Sequence, residues 1–355
     1  MRAPSTGFRV GAVLVASLLV AFAALVLYVS RRTTHAAAER SGAVAERLFA
    51  DLEVADVEKL SATLDALSAN AEIVRAFRAR DRDRLLELAA PLFRELSQRY
   101  RITHWYFILP EPERTCLLRV HWPDLGGDRV ERTTLQLAMQ REGFASGKEL
   151  GKTAFALRAV RPVRDEDGLV GYMELGEEID HFLGRLKDLT GDDYALLLAK
   201  RHLDRAEWAR LRARNFDEDD WDVAADYVTV NATSPSAKKE VALDGEVDAL
   251  PDGGRILDEI SREGRSFVRA VTPVRDAAGR KVGALFMLHD VTAIRRGIGM
   301  GSWSVVGVVL AATALAAGAV AWLLRVLVFA PPRRGEERAG DVSERRAGAG
   351  RPLDS

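Results

Sequence analysis

The stretch Ala159 to Gly171 reads AVRPVRDEDGLVG, and Ala270 to Gly283 reads AVTPVRDAAGRKVG. Their shared core, A-V-x-P-V-R-D-x-x-G, has the marks of a β-hairpin: the proline closes one strand, aspartate and glycine make the turn, and Gly171 or Gly283 opens the returning strand. Such turns are common on their own. The weight comes from position, because each copy precedes an apolar strand, GYMELG or GALFMLHD, at the end of a segment of one-domain size. The reading is two tandem copies of one fold of the α+β class.

Upstream of the first hairpin, from His104, the runs HWYFIL, TCLLRVH, TAFALRAV and LVGYMEL are separated by Pro, Gly and Asp turns and predict one antiparallel sheet. Between the hairpins, YALLLA reads as a strand, Asp204 with Glu207 as a capping signal before a helix carrying Trp208 and Leu211, and YVTV as a return to strand. Before the first sheet, Val57, Leu60, Leu64, Leu67, Ala71 and Val74 recur in steps of three and four and predict one stripe along a helix. That stripe could pack on a sheet, on a partner subunit of a homodimer, or partly on both. Leu85, Leu88, Leu92 and Leu96 mark a shorter helix in which Pro91 predicts a kink.

Two segments have the length and apolarity of membrane spans. No residue from Val10 to Ser30 is charged, and a helix of that length rises about 30 Å, the thickness of a bilayer's hydrocarbon layer. A cleaved signal peptide is the rival reading, but its apolar region usually runs only about 7 to 15 residues. The second run, Gly297 to Leu324, carries Trp303 and Trp322 at spacings suited to the two headgroup boundaries. Beyond Arg325 the chain holds Arg333, Arg334, Arg338, Arg345 and Arg346 among Gly, Ala and acidic residues and is read as a disordered tail. The arginines place that tail, and hence both termini, in the cytoplasm, so the intervening body is expected outside it.

Composition excludes several function classes. The 355 residues carry 51 basic and 52 acidic side chains, interspersed, so no basic face for nucleic acid stands out. One cysteine, Cys116, rules out an intramolecular disulfide and reads as a small apolar filler in a strand. There is no cluster with zinc-ligand spacing, and no cofactor is expected. Gly151, Lys152 and Thr153 imitate the end of a phosphate loop, but Ser146 stands where its first glycine belongs. Neither G-x-S-x-G, H-E-x-x-H nor a kinase or cyclase signature occurs, so the chain is not expected to be an enzyme. Asn231-Ala-Thr fits the glycosylation pattern, which arises often by chance.

Three stretches resemble the double Cache sensor domains of bacterial receptors, in the subclass found on sensor kinases: THWYFILP (103 to 110), LLRVHWPDLGGDR (117 to 129) and SGKELGKTAFALRAVRPVRDEDGLVGYMELGEEID (146 to 180). The resemblance covers about residues 35 to 295, most strongly in the first copy. It implies a long first helix leading to two PAS-like modules, with a small molecule bound in the membrane-distal one. Family members generally continue past the second membrane helix into a kinase, chemotaxis or cyclase module, whereas this sequence stops at residue 355. The expectation is a sensor in the bacterial inner membrane without an output module of its own, signalling through a separate histidine kinase or chemotaxis-type partner. The alternative is a non-signalling, anchored solute-binding or scaffold protein. The expected segments are a cytoplasmic start (1–9), a first span (10–30), a helical stalk (31–100), a distal module (101–181), a proximal module (182–296), a second span (297–326) and a tail (327–355).

Strict alternation puts Leu117, Arg119 and His121 on one strand face and Cys116, Leu118 and Val120 on the other. His104 and Tyr106 share a face, as do Tyr172 and Glu174, while Arg158 lies mid-strand between apolar neighbours. If these faces converge, Tyr106, Arg119, His121, Asp128, Arg158, Tyr172 and Glu174 line a pocket suited to a small carboxylate or similar anion, with arginine as a two-pronged clamp. Against this stand plainer roles: Arg119 as the structural partner of Glu174 or Asp128, His121 as a brace for the PDLGGD turn, and Trp105, Phe107 and Trp122 as core.

Overall fold

The computed structural model describes residues 6–150, 155–214, 218–243 and 245–329. The Gly151 to Thr153 stretch, residues 1–5 and the arginine-rich tail from residue 330 lie outside them. The chain divides into one unit over residues 1–298 and another over 299–355.

The first apolar run and the stalk are one helix, α1 (Thr6–Ser68). The stripe predicted to continue to Val74 is interrupted: α1 ends at Ser68, and Asn70 starts a new helix, α2 (Ala71–Arg78), by accepting bonds from the backbone N–H groups of Glu72 and Ile73. Helix α3 (Arg82–Tyr100) follows, capped by Asp81, and runs through Pro91. Leu60 and Leu64 are buried in the core together with Phe107, Leu157 and Met173 of the first sheet, so a sheet takes the stripe.

Strands β1 (His104–Ile108) and β2 (Cys116–Arg119), helix α4 (Thr133–Arg141), then β3 (Ala145–Leu150), β4 (Phe155–Asp165) and β5 (Gly168–Glu178) form the first module. Helix α5 (Asp180–Thr190) leads into β6 (Asp193–Ala199), α6 (Arg205–Arg214), β7 (Tyr227–Ala232), α7 (Pro235–Glu240), β8 (Arg255–Arg262), β9 (Arg265–Arg275) and β10 (Lys281–Asp290), and α8 (Thr292–Phe329) is the last element of the described residues. Each sheet is antiparallel and five-stranded, ordered β2-β1-β5-β4-β3 and β7-β6-β10-β9-β8. The second order is the first repeated in sequence, as the tandem hairpins require. Those hairpins are β4–β5 and β9–β10, and their turn glycines Gly168 and Gly279 hold φ of 104° and 78°, where a side chain is strained.

The other shared glycine has a different cause. A Cβ on Gly171 would lie 2.6 Å from the Ile108 carbonyl oxygen, and one on Gly283 would lie 2.2 Å from that of Leu197. In each module the returning strand thus presses a bare backbone against its neighbour. Helix α1 packs along β4 and β5 of the first module and β8, β9 and β10 of the second. The modules also touch directly: the Ala277 N–H, at the β9–β10 turn, donates to the Lys148 carbonyl on edge strand β3 at 2.7 Å. Helices α1 and α8 each contain a stretch long and apolar enough to cross a membrane.

Candidate functional site

One face of the first sheet carries charge where a core would be apolar. Register aligns Arg119, Tyr106, Glu174 and Val160 across β2, β1, β5 and β4, and the next rung aligns His104, Gly176 and Arg158. Glu174 is fully buried and Arg158 is 1% exposed. Arg158 Nη1 donates to Glu174 Oε1 at 2.6 Å, and Arg132, just before α4, donates to the same oxygen. Gly176 lets His104 and Arg158 close over it: a Cβ there would stand a tight 3.1 Å from the His104 Cβ and in ordinary contact, 3.5 Å, with the Arg158 Nη1. Arg119 bonds Asp128 at 2.7 Å. Three guanidiniums therefore surround the Tyr106 ring, at 5.5 Å for Arg119, 4.5 Å for Arg132 and 5.6 Å for Arg158.

The electrostatics follow from burial and these cations. Burial opposes the charge on Glu174, but Arg132 and Arg158 hold its carboxyl below the usual range. His104 is pushed well below its ordinary value by burial and then by Arg158, and His121 is pushed to about 3 by the same two causes in the same order. Both imidazoles are therefore neutral at pH 7. His121 packs edge-on against His104 and Tyr106, with centroids at 4.7 and 4.8 Å. Glu149 of β3 accepts from the Thr134 N–H at 2.7 Å, and burial raises its carboxyl. Glu174 Oε2, Glu149 Oε2, Thr134 Oγ1 and Arg158 Nε are buried without a hydrogen-bond partner. Buried polar atoms are nearly always paired, so four left open in one place set this face apart from an ordinary core.

Six of the seven predicted site residues come together: Tyr106, Arg119, His121, Asp128, Arg158 and Glu174. Tyr172 does not join them. It shares their face and the apolar cluster that also holds Tyr106, but it sits beside Ile108 and Pro162, and the charged groups that act on its hydroxyl are Arg164, Glu142 and Glu111, none of them in the site. Arg119 does have the structural partner Asp128, so its clamp is already engaged. His121 accepts from the Trp105 N–H at 3.3 Å, and this bond fixes the ring beside β1. Trp105 and Phe107 are core. The alternation in β2 needs a correction. A bulge opposite Phe107 and Ile108 turns Cys116 onto the Arg119 face, while Leu117 packs against the other cluster. Cys116 is buried there, its thiol pushed up to about 11 by burial, which leaves it inert.

Sequence reasoning missed Arg132, Glu149 and Thr134 and left His104 outside its ligand set. Arg132 lies in no strand, so no period could assign it a face. Glu149 lies on an edge strand that the sequence reading did not separate from its surroundings.

In the second module the corresponding strands bury Ala195, Leu197, Phe267, Val271, Ala284, Phe286 and Leu288 in one cluster. The charged face described above belongs to the first module.

No curated protein matches the chain. Among solved structures it is similar to the periplasmic domain of Vibrio cholerae LuxQ, at 13% identity over 71% of this chain and 98% of that one, with a TM-score of 0.40. It is similar to the sensor domain of the V. cholerae histidine kinase DctB, at 11% identity over 72% and 98%, with a TM-score of 0.41. The ligand-binding domain of the Campylobacter jejuni chemoreceptor Tlp3, solved with L-norvaline, shares 10% identity over 70% and 94%, with a TM-score of 0.33. The family model of the double sensory domain of two-component sensor kinases matches residues 36–294. With its tandem sheets, its long first helix and a match over most of its length, the chain belongs to this double Cache sensory family.

Proposed function

We propose that the chain is a membrane-anchored sensor whose first module binds a small molecule carrying a carboxylate. One observation carries this reading: three guanidiniums converge on Tyr106 against the two carboxylates of Glu174 and Asp128, with open polar atoms of both kinds beside them. An incoming carboxylate would take over part of the guanidinium bonding, and a hydrogen-bond donor on the same ligand would satisfy the open oxygens of Glu149 and Glu174. The reaction catalysed is none; the output is a shift between conformations, which a ligand favouring one state about 100-fold biases by roughly 2.7 kcal/mol. Because β10 runs into α8, a change at the first module can reach that helix through the Ala277–Lys148 contact, and a protein in contact with α8 is the receiver.

The test is a thermal-shift screen of the full chain in detergent against carboxylates, amino acids and amines. A ligand at about 100 times its dissociation constant adds about 2.7 kcal/mol of stability. Arg119→Ala and Arg132→Gln should each remove the shift, and an unchanged shift in both variants would rule out this site. The orientation has its own test. A periplasm-dependent reporter fused after Lys200 should be active, and activity only for a cytoplasm-dependent reporter would refute the extracytoplasmic placement.

A further inference from the structure

A second charged cluster lies on the other side of the fold, where α1 meets the joint between the modules. Asp56 and Lys59 on α1 face Glu177 near the end of β5 and His181 in the first turn of α5. His181 Nε2 lies 3.0 Å from Asp56 Oδ2 and 3.1 Å from Glu177 Oε1. Lys59 Nζ lies 2.9 Å from Asp56 Oδ1 and 2.5 Å from Glu177 Oε2. Glu177 is buried, Asp180 accepts from the His181 backbone N–H, Phe182 packs edge-on against the ring, and burial raises the adjacent Glu178 carboxyl. The next charged contact along α1, Glu53 with Lys148 of β3, is closed on itself.

The ring's two nitrogens are not equivalent. Nδ1 lies 2.9 Å from the Glu178 carbonyl oxygen, which can only accept, so Nδ1 carries a proton. Nε2 then faces two carboxylate oxygens, and these contacts are attractive only if one more proton sits on Nε2 or on a carboxyl. With that proton, the charges of Asp56, Glu177 and Lys59 are balanced; without it a buried joint holds a net negative charge and a lone pair pointed at two oxygens. The ligand atoms of Asp56, Glu177 and His181 lie within 4.8 Å of one another, a spacing that a metal ion could also bridge. The Lys59 ammonium already stands between the two carboxylates and serves as their cation.

We propose that the chain senses protons as well as its small-molecule ligand: the proton shared by His181, Asp56 and Glu177 holds α1 against the joint of the modules, and its loss releases that contact. Burial pushes Glu177 up to about 7 against the pull of Lys59. His181 is raised by Asp56 and Glu177 although burial opposes it, and hydrogen bonds from His181 and Lys59 outweigh burial to hold Asp56 at about 2. Loss of the shared proton therefore falls near and above neutrality. Two further imidazoles mark the same seam. His35 of α1 lies 3.4 Å from Glu259 of β8, which Thr34 also contacts and Arg295 of α8 approaches at 3.8 Å. His289 of β10 lies 2.8 Å from Asp192, to which Ser41 of α1 donates. Three of the six histidines thus stand opposite carboxylates where α1 meets the modules.

The test is hydrogen exchange of the full chain in detergent with EDTA, without ligand, at about pH 6 and about pH 8, corrected for the intrinsic pH dependence of exchange. Protection of residues 50–60 and 181–190 should fall about tenfold or more at the higher pH, while α3 stays unchanged. The double substitution Glu177→Gln with His181→Gln should abolish the dependence. Equal wild-type protection at both pH values overturns the proposal, and that comparison needs no variant; a dependence that survives unaltered in the double variant overturns it as well. Neither arm involves the ligand site of the first module, so the two readings fail separately.

Discussion

Replacing Glu174 with glutamine would leave Arg158 buried, and Arg132 half-buried, around an uncharged amide. Glu174 is fully buried and Arg158 is 1% exposed, so Arg158 cannot recover its hydration without the sheet opening, whereas Arg132, 18% exposed, keeps partial access to water. Removing one partner of such a buried pair costs about 3–5 kcal/mol, because the remaining charge is uncompensated. The glutamine carbonyl keeps one acceptor, which places the expectation near the low end, about 3 kcal/mol. For a body of this size, that lowers the melting temperature by roughly 6–12 °C. Thermal unfolding of the full chain in detergent, followed by circular dichroism, reads it directly. Adding Arg158→Met should restore much of the loss, since an apolar side chain of similar volume needs no counter-charge. The same Glu174→Gln variant frees two guanidiniums, so a carboxylate ligand should stabilise it more than it stabilises the wild type. A melting temperature within about 1 °C of wild type would refute the description of this pair as buried and mutually dependent.

Two further outcomes follow from the geometry. Gly171→Ala and Gly283→Ala each drive a Cβ into a neighbouring strand's carbonyl oxygen, and each should cost about 1–3 kcal/mol in denaturant titration, whereas Gly184→Ala, inside α5 with open space around it, should stabilise by about 0.5–1 kcal/mol. His121 has the opposite pH sign from the α1 seam. Its pKa is depressed to about 3, so the stability it contributes is complete above pH 6.5 and is lost as pH falls from there toward 3. Relative to His121→Gln, the wild type should lose at most about 1.4 kcal/mol per pH unit across that window, and a difference independent of pH would show the ring free to charge.

How far the sequence could be read depended on whether a residue sat in a regular period. The tandem hairpins announced two copies of one fold, and alternation put His104 with Tyr106 and Tyr172 with Glu174 on shared faces, because a strand's period leaves a side chain only two directions; that these faces and Arg158 converge is set by the register between strands. Where the period breaks, the reading broke with it. The bulge in β2 reverses Cys116 and Leu117, and nothing in TCLLRVH distinguishes a bulged strand from a regular one. Arg132 supplies one of the two guanidiniums on Glu174 from a position outside every strand, which only the folded chain brings to the sheet. Tyr172 shows the reverse limit: sharing a face with Glu174 does not bring its hydroxyl to the charged end of that face. The stripe on α1 was legible as buried, but the break at Asn70 was not, since the apolar spacing carries across it.

The claim on which the functional account rests is that the charged face of the first module is where the chain takes up its ligand. Isothermal titration of the full chain with the best carboxylate from the stability screen tests it most directly. The account predicts one molecule per chain, affinity at least about tenfold weaker in Arg132→Gln, and no change in Arg262→Gln, an exposed second-module arginine. Binding of equal strength in wild type and Arg132→Gln, or equal loss in Arg262→Gln, would contradict it.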